Sequence, residues 1–274
     1  MPGRPQHTHR GRVERVEQLS PHMIRIVLGG EGLAAFTAGT FTDHYIKMHF
    51  PRPGVAYPQP FDLAQVRAEL PREDWPITRT YTVRQWDADA AELTVDFVHH
   101  GEEGVAGPWA ARAQPGDEIH FGGPGGGYAP SADADWYLLA GDESALPAIA
   151  AALERLPEGS TAHVFIEVSG PEEEQKLLTR ADARITWLHR GADRVGEALV
   201  RAVSGLDFPA GSPEAFVHGE AGFVKELRRL LRVERGIPLD RLSISGYWRT
   251  GHDEDGWQSS KREWNRRVEE EQER

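Results

Sequence analysis

The sequence predicts two units of different class, a small antiparallel β-barrel followed by an α/β unit on a parallel sheet. Three observations carry this. Up to about residue 127 the chain reads as short strands joined by turns. After Pro130, short apolar strands alternate with helix-period segments, the pattern of a parallel sheet covered by helices. Between them, GGPGGGYAPSADAD (122–135) has the composition of a link. The expected division is a barrel over 10–128, an α/β unit over 133–250 and a polar extension over 251–274.

In the first part, residues 1–10 read as loose. Gly11–Leu28 reads as a strand pair or one long strand, with Ser20-Pro21 as its turn. Phe41–Phe50 is a strand, 51–60 with four prolines is a loop, and 61–76 fits an inserted short helix with loop. Arg79–Trp86 and Ala91–His99 are strands separated by DADA. In RTYTVRQW (79–86), Arg79, Tyr81 and Val83 share one side and Thr80, Thr82 and Arg84 the other. Neither side is cleanly apolar, so the strand is an exposed edge or meets something polar on both sides.

In the second part, strands are expected at 136–141, 163–168, 184–190, 214–220 and 242–248. Helices are expected at Glu143–Leu156, with Leu146, Ile149, Ala150 and Leu153 on one face, at Pro171–Thr179, at Arg194–Val203, and at Phe223–Arg235 with Val224, Leu227, Leu230 and Leu231 inward. Residues 251–274 form a short terminal helix or stay disordered.

Composition excludes several functions. The formal net charge of -12 makes nucleic acid a poor partner. The absence of cysteine removes disulfides, thiolate metal sites and cysteine nucleophiles and fits a cytoplasmic location. MPGRPQHTHRGR has no apolar run behind its positive charges, so no signal peptide is visible. The low-charge stretch Tyr137–Leu153 is interrupted by Asp142, Glu143 and Pro147, and no membrane insertion is expected. The twelve histidines, among them His7, His9, His99, His100, His189 and His218, show neither HExxH spacing nor a three-ligand cluster, so no protein-held metal is expected.

Two turns suit a nucleotide. In LAGDESALPAIAAAL a strand ends, Gly141 permits a sharp turn, and Asp142 or Ser144 caps the next helix. Helix N–H groups then point into the crevice above a parallel sheet, where phosphate or ribose binds. GEAG (219–222) repeats the arrangement. Neither turn is GxGxxG.

Five segments in order, RTYT (79–82), the glycine-rich run ending in GPWA (107–110), LLAGDESALPAIAAAL (138–153), FVHGEAGFVKELRRLL (216–231) and LSISGYWRTG (242–251), resemble the siderophore-interacting protein family. The resemblance covers roughly residues 10–257. It implies a ferredoxin-reductase-like architecture, an antiparallel β-barrel FAD-binding domain followed by an α/β parallel-sheet nicotinamide-nucleotide-binding domain. It also implies reduction of a ferric siderophore by electrons passed from NADPH or NADH through FAD, with release of Fe(II).

The resemblance assigns roles by position. Arg79 meets the FAD pyrophosphate, Tyr81 lies against the isoalloxazine, and Thr82 offers its hydroxyl near flavin N5. His99, at the strand-end spacing from Asp96, lies against the adenine-containing cofactor, with His100 as its alternative. Gly104, Gly107, Trp109 and Ala110 bring backbone N–H groups to the pyrophosphate, and Trp109 is equally a core residue. Gly141, Asp142, Glu143 and Ser144, with Gly219 and Glu220, form the nicotinamide-nucleotide side. Arg190 meets a 2′-phosphate or is a solvated surface residue. Tyr247, Trp248 and Arg249 close over the flavin and nicotinamide face, and Lys47 meets the anionic iron substrate. No catalytic acid or base is required. The alternatives are a reductase of another soluble acceptor, the same reaction driven by ferredoxin, and a non-enzymatic siderophore-binding protein.

Overall fold

The computed structural model describes residues 8–272. The chain divides into two compact units, one ending at Gly127 and the other starting at Tyr128.

The first unit is a seven-stranded antiparallel sheet. Its strands are β1 (Thr8–Ser20), β2 (Met23–Gly29), β3 (Tyr45–Phe50), β4 (Ile77–Thr82), β5 (Gln85–Asp87), β6 (Glu92–Val98) and β7 (Glu118–Gly125), in the order β4-β3-β7-β1-β2-β6-β5. The two edge strands, β4 and β5, are consecutive in the chain. Between them the Val83 N–H donates to the His44 carbonyl beside β3 at 2.7 Å, and the Arg84 N–H donates to the Thr94 carbonyl of β6 at 2.9 Å. Neighbouring amides thus bond to opposite margins of the sheet, so the chain passes from one edge to the other within two residues and the sheet curls into a barrel. Alternation fills the interior: Val13, Ile26, Leu28, Ile46, Met48, Leu93, Val95, Phe97 and Phe121 are buried there.

Three expectations change here. Arg79–Trp86 is not one strand, because Val83 turns its side chain into the core with its amide still on the β3 side, while Arg84 turns its amide to β6. Residues 8–10 belong to β1, where the buried His9 ring packs against Phe36 and Phe121; residues 1–7 lie outside the described residues. Phe41–His44 precede β3 instead of extending it. Two short helices interrupt the strands, α1 (Leu63–Glu69), capped by Asp62, and α2 (Ala106–Arg112). The segment before α1 stacks Phe61 on His120, 4.5 Å between centroids. It lies beside His49, whose imidazole is pushed down to about 4 by burial, with Arg67 adding to the effect.

The second unit is a five-stranded parallel sheet of β8 (Trp136–Gly141), β9 (Thr161–Val168), β10 (Asp182–His189), β11 (Pro213–Glu220) and β12 (Leu242–Trp248), ordered β10-β9-β8-β11-β12. The chain steps outward from β8 to β10, then returns to the far side of β8. Strand order therefore reverses between β8 and β11, the place where open α/β sheets form a crevice at the carboxyl ends of their strands. The helices are α3 (Leu146–Leu153), α4 (Glu197–Ser204), α5 (Ala221–Arg228) and α6 (Glu254–Gln272).

The expected helix at Glu143 begins only at Leu146, because 142–145 form a turn closed by Ala145 and Leu146 N–H donation to the Asp142 carbonyl. Pro171–Thr179 forms only a single turn, Pro171–Glu173, in a segment that crowds three glutamates and leaves Leu178 exposed. The helix from Arg194 starts late, at Glu197, since Gly196 is left-handed with its Cβ position filled by Phe223. The helix from Phe223 starts early, at Ala221, and passes into a π-helical turn at Arg229–Glu234. Residues 254–272 form a 19-residue helix with Trp257 and Val268 buried, tied to α5 by Lys225–Glu271 and Arg228–Gln272. No helix of the described residues is long and apolar enough to cross a membrane.

Both crevice glycines are packed to contact. A Cβ on Gly141 would lie 2.6 Å from the His218 carbonyl oxygen and from Ala145 Cβ. One on Gly219, at φ +139, would lie 2.6 Å from Asp142 Oδ2 and from Phe223 Cζ. Alanine at either position is expected to cost about 1–3 kcal/mol, read as a lowered Tm. Gly127→Ala, whose Cβ would meet nothing within 4 Å, is the control. Equal melting of all three variants would show that the packing tolerates the extra methyl group.

Candidate functional site

In the first unit, the candidate residues lie along β4 and the loop leading into α2. Cross-strand register sets Arg79 opposite Met48, Tyr81 opposite Ile46, Thr82 opposite Tyr45 and Thr80 opposite Lys47. Arg79 and Tyr81 are half-buried and share one side of the strand. The Tyr81 ring packs 4.3 Å from Phe97, which packs in turn against Trp109, and Trp109 also meets Phe50. Trp109 thus lines the barrel core, one of its two expected positions. Ala110 is fully buried there. Arg79 donates to the Thr78 carbonyl at 2.8 Å, and Thr82 is buried.

Asp96 is 5% exposed and bound in a bidentate pair to Arg25 on the neighbouring strand, at 2.7 and 2.8 Å. The carboxylate is therefore engaged in joining β2 to β6. His99 follows β6, its N–H donating to the His22 carbonyl at 2.9 Å, and the exposed His100 ring lies 5.8 Å from the His22 ring. Gly104 is left-handed with open space at its Cβ position. Gly107 approaches the Val98 carbonyl so closely that a Cβ would sit 3.1 Å away. The first N–H groups of α2 have no intrahelical acceptor. An arginine, a hydroxyl, an aromatic face and bare backbone N–H groups form the donor set that a flavin dinucleotide's ring and pyrophosphate require. Lys47 is exposed on the outer face of β3, beside Thr80 and Gly122.

In the second unit, the strand ends converge as the two glycine turns imply. Asp142 is fully buried at the end of β8. Its Oδ1 accepts from the Ser144 N–H at 2.9 Å and the Ser144 hydroxyl at 2.5 Å. Its Oδ2 accepts from the Glu220 N–H and the Trp248 indole N–H, both at 2.8 Å. Burial pushes Asp142 up to about 6 despite these bonds, with Glu143 adding to the rise. Glu220 caps α5 through Gly222 N–H and accepts from the Thr250 N–H at 3.1 Å. Tyr247 packs on the buried His218 at 4.9 Å. Arg249 is half-buried, its carbonyl accepts from the His252 N–H at 3.1 Å, and its guanidinium makes no hydrogen bond or ion pair among the described residues.

Arg190 is neither solvated nor open. Its guanidinium is bidentate on Glu143, at 2.8 and 3.2 Å, and reaches Glu167 at 3.3 Å. Glu167, absent from the sequence expectations, is fully buried and also accepts from the Gly196 N–H at 2.8 Å. Its signal was an acid inside the apolar run HVFIEV. Among the described residues, no group of three or more His, Asp or Glu side chains is placed to hold a metal ion.

The family model described as "Siderophore-interacting FAD-binding domain" matches residues 12–128, and "Siderophore-interacting protein" matches 134–251. The chain belongs to the siderophore-interacting protein family. It is similar to ferric vibriobactin reductase of Vibrio cholerae, 36% identical over 245 residues, covering 89% of this chain and 90% of that one. It is similar to an NADPH-dependent ferric-chelate reductase of Escherichia coli, 34% identical over 239 residues, covering 86% and 91%. The crystal structure of a siderophore-interacting protein from Aeromonas hydrophila superposes with a TM-score of 0.81 at 30% identity, covering 96% of this chain and all of that one. The seven-stranded antiparallel sheet is thus the family's FAD-binding domain, and the parallel sheet is its second domain.

The Arg190 cluster yields a stability test. Arg190→Met leaves two largely buried carboxylates without their cation and is expected to lower stability by about 3 kcal/mol at pH 7.5. Burial already holds Glu167 above its ordinary value, so the deficit should narrow as the pH is lowered and Glu167 takes up a proton. Urea unfolding at pH 7.5 and at lower pH checks this, and a variant as stable as the parent at pH 7.5 would contradict it.

Proposed function

We propose that this protein reduces ferric siderophores in the cytoplasm, passing electrons from NAD(P)H through FAD and releasing Fe(II). The observation that carries the reading is the presence, in one chain of this family, of an RTYT-bearing barrel strand and a switch-point crevice with two glycine turns. The names of the Vibrio and Escherichia relatives, both reductases of chelated ferric iron, support the reaction class. A carrier that bound siderophore without chemistry would need neither feature.

When bound, FAD supplies the conversion of a two-electron hydride donor into single-electron delivery to Fe(III). The chain supplies binding and electrostatics. Arg79 would neutralise pyrophosphate charge, Tyr81 would offer its ring as a flat contact, and Thr82 would offer its hydroxyl to the flavin ring. His99 and the run from Gly104 through Gly107 take the adenine-containing part, the glycines by letting backbone N–H groups approach closely. Trp109, Ala110 and Asp96 support that surface from behind, two by packing and one through Arg25.

In the other domain, Gly141, Ser144, Gly219 and Glu220 shape the nucleotide crevice, and Arg249 meets phosphate. Arg190 acts through Glu143 and Glu167 instead of binding a 2′-phosphate itself. Lys47 attracts the anionic ferric complex. Fe(II) binds hard oxygen ligands more weakly than Fe(III), so reduction itself loosens the siderophore, and no side chain need transfer a proton.

The anaerobic test adds NADPH or NADH to the purified, FAD-loaded protein, then a ferric siderophore with a ferrous trap. Flavin bleaching followed by reoxidation with trapped Fe(II) is expected. Arg79→Ala and Tyr81→Ala should each weaken FAD retention about tenfold or more, the size of one lost charge-assisted or stacking contact. Bleaching without trapped iron would assign another acceptor, and failure to bind FAD at all would remove the proposal.

A further inference from the structure

Asp142 joins three strand ends. Its four hydrogen bonds reach its own turn through Ser144, the end of β11 through the Glu220 N–H, and the end of β12 through the Trp248 indole. Two of the donors converge on each oxygen. A neutral amide offers one carbonyl oxygen and one donating nitrogen, so asparagine can satisfy one pair only while turning its N–H2 on the other. Glu220 completes the arrangement by accepting from the Thr250 N–H. The segment Trp248–Thr250 is thereby pinned on both sides of Arg249, by one carboxylate from each glycine turn.

We propose that Asp142 is a positioning residue for nicotinamide-driven reduction, whose ionised carboxylate holds Trp248 and so fixes the segment carrying Arg249. This rests on the function proposed above. The ionised form holds them most tightly: its bonds to the Glu220 and Trp248 N–H groups are charge-assisted, and a proton, which only the Ser144 hydroxyl among the four donors can accept, removes that assistance.

Burial pushes the group up to about 6, so the carboxylate predominates above that pH and the acid below it. The groups facing it are few. Glu143 on the same turn raises it and is itself neutralised by Arg190. Glu220, from β11, presents its N–H to Asp142 and turns its own carboxylate to Gly222 and Thr250. Ser144 and Trp248 carry no charge, and Arg249 is the cation next in chain to Trp248. The sign follows: the loop is held tightly above about pH 6 and more loosely below it.

Two measurements test this. Tryptophan emission of the protein without nucleotide is titrated from pH 5 to 8. The parent should show a transition centred near pH 6 that is missing from both Trp248→Phe and Asp142→Asn. Anaerobic stopped-flow then follows flavin reduction by NADPH and NADH over the same range. The parent rate should fall below pH 6, whereas Asp142→Asn should be slower by about tenfold or more and flat with pH, the size of a lost hydrogen bond to a charged group. Reduction by dithionite, which needs no nucleotide, should proceed in Asp142→Asn as in the parent, which separates loop positioning from flavin binding.

A parent profile flat through pH 6 would overturn the proposal, as would an emission transition that survives in Trp248→Phe or an unaltered pH limb in Asp142→Asn. If Asp142→Asn does not fold, Trp248→Phe carries the test, since it removes the indole donor and keeps an aromatic ring. If neither nucleotide reduces the flavin at any pH, the proposed function fails, while the emission titration still reports on Asp142.

Discussion

Consecutive N–H groups at Val83 and Arg84 bond in opposite directions, and the first domain depends on that turn. A sheet ordered β4-β3-β7-β1-β2-β6-β5 has its edges at β4 and β5, and this turn brings the two together. Joining them within two residues leaves little freedom in the segment just before. Arg79–Thr82 is paired along its length to β3 on one side and ends in a turn anchored to both margins. The mixed polarity of RTYTVRQW follows. Val83 enters the core, Tyr81 leans on Phe97 at the core's margin, and Arg79 stays half-buried. The segment combines closure of the barrel with presentation of polar groups, and a purely apolar alternation could do only the first.

The second domain solves its own problem with buried acids. Parallel strands end in turns whose N–H groups have no ladder partner, and a carboxylate can accept two of them at once, one on each oxygen. Asp142 takes the Ser144 and Glu220 N–H groups, Glu220 takes Gly222 and Thr250, and Glu167 takes Gly196. Each acid sits at or near the end of a different strand or turn, so the strand ends are coupled through side chains as well as through the sheet. The burial penalty on Asp142 and Glu167 measures the opposing force, and the hydrogen bonds keep it from raising either group further.

Much of this was legible in the sequence. The change from strand-and-turn to strand-and-helix patterning gave both sheets, and the two glycine turns correctly implied loops at one sheet edge, since β8 and β11 are neighbours. Misreadings came where tertiary bonds override local pattern. RTYTVRQW alternates like one strand, and only partners 39 residues back and 10 residues ahead of the turn, at His44 and Thr94, divide it. EEEQKLL has helix-forming residues, but its leucines are adjacent, so no apolar stripe docks it. The terminal helix was half legible: its charge suggested a solvated tail, while Trp257 and Val268, eleven apart on one face, pack inward. Arg190 looked available because a sequence does not show which acids return to it; Glu143 and Glu167 lie 47 and 23 residues away.

That last point bears on how a chain of net charge -12 receives anionic ligands. Total charge opposes them, so local cations decide, and arginines are not equal in this respect. Arg25, Arg190 and Arg241 are bound bidentately to Asp96, Glu143 and Asp133, and their fields are largely cancelled at short range. The side chains of Lys47 and Arg249 make no hydrogen bond or ion pair among the described residues. Arg249 is also pinned through its neighbours, so meeting a phosphate requires little further ordering of its backbone. The acid-rich remainder of the surface then acts as a filter: an anion gains nothing from most of the molecule and is favoured where a cation has been left unpaired.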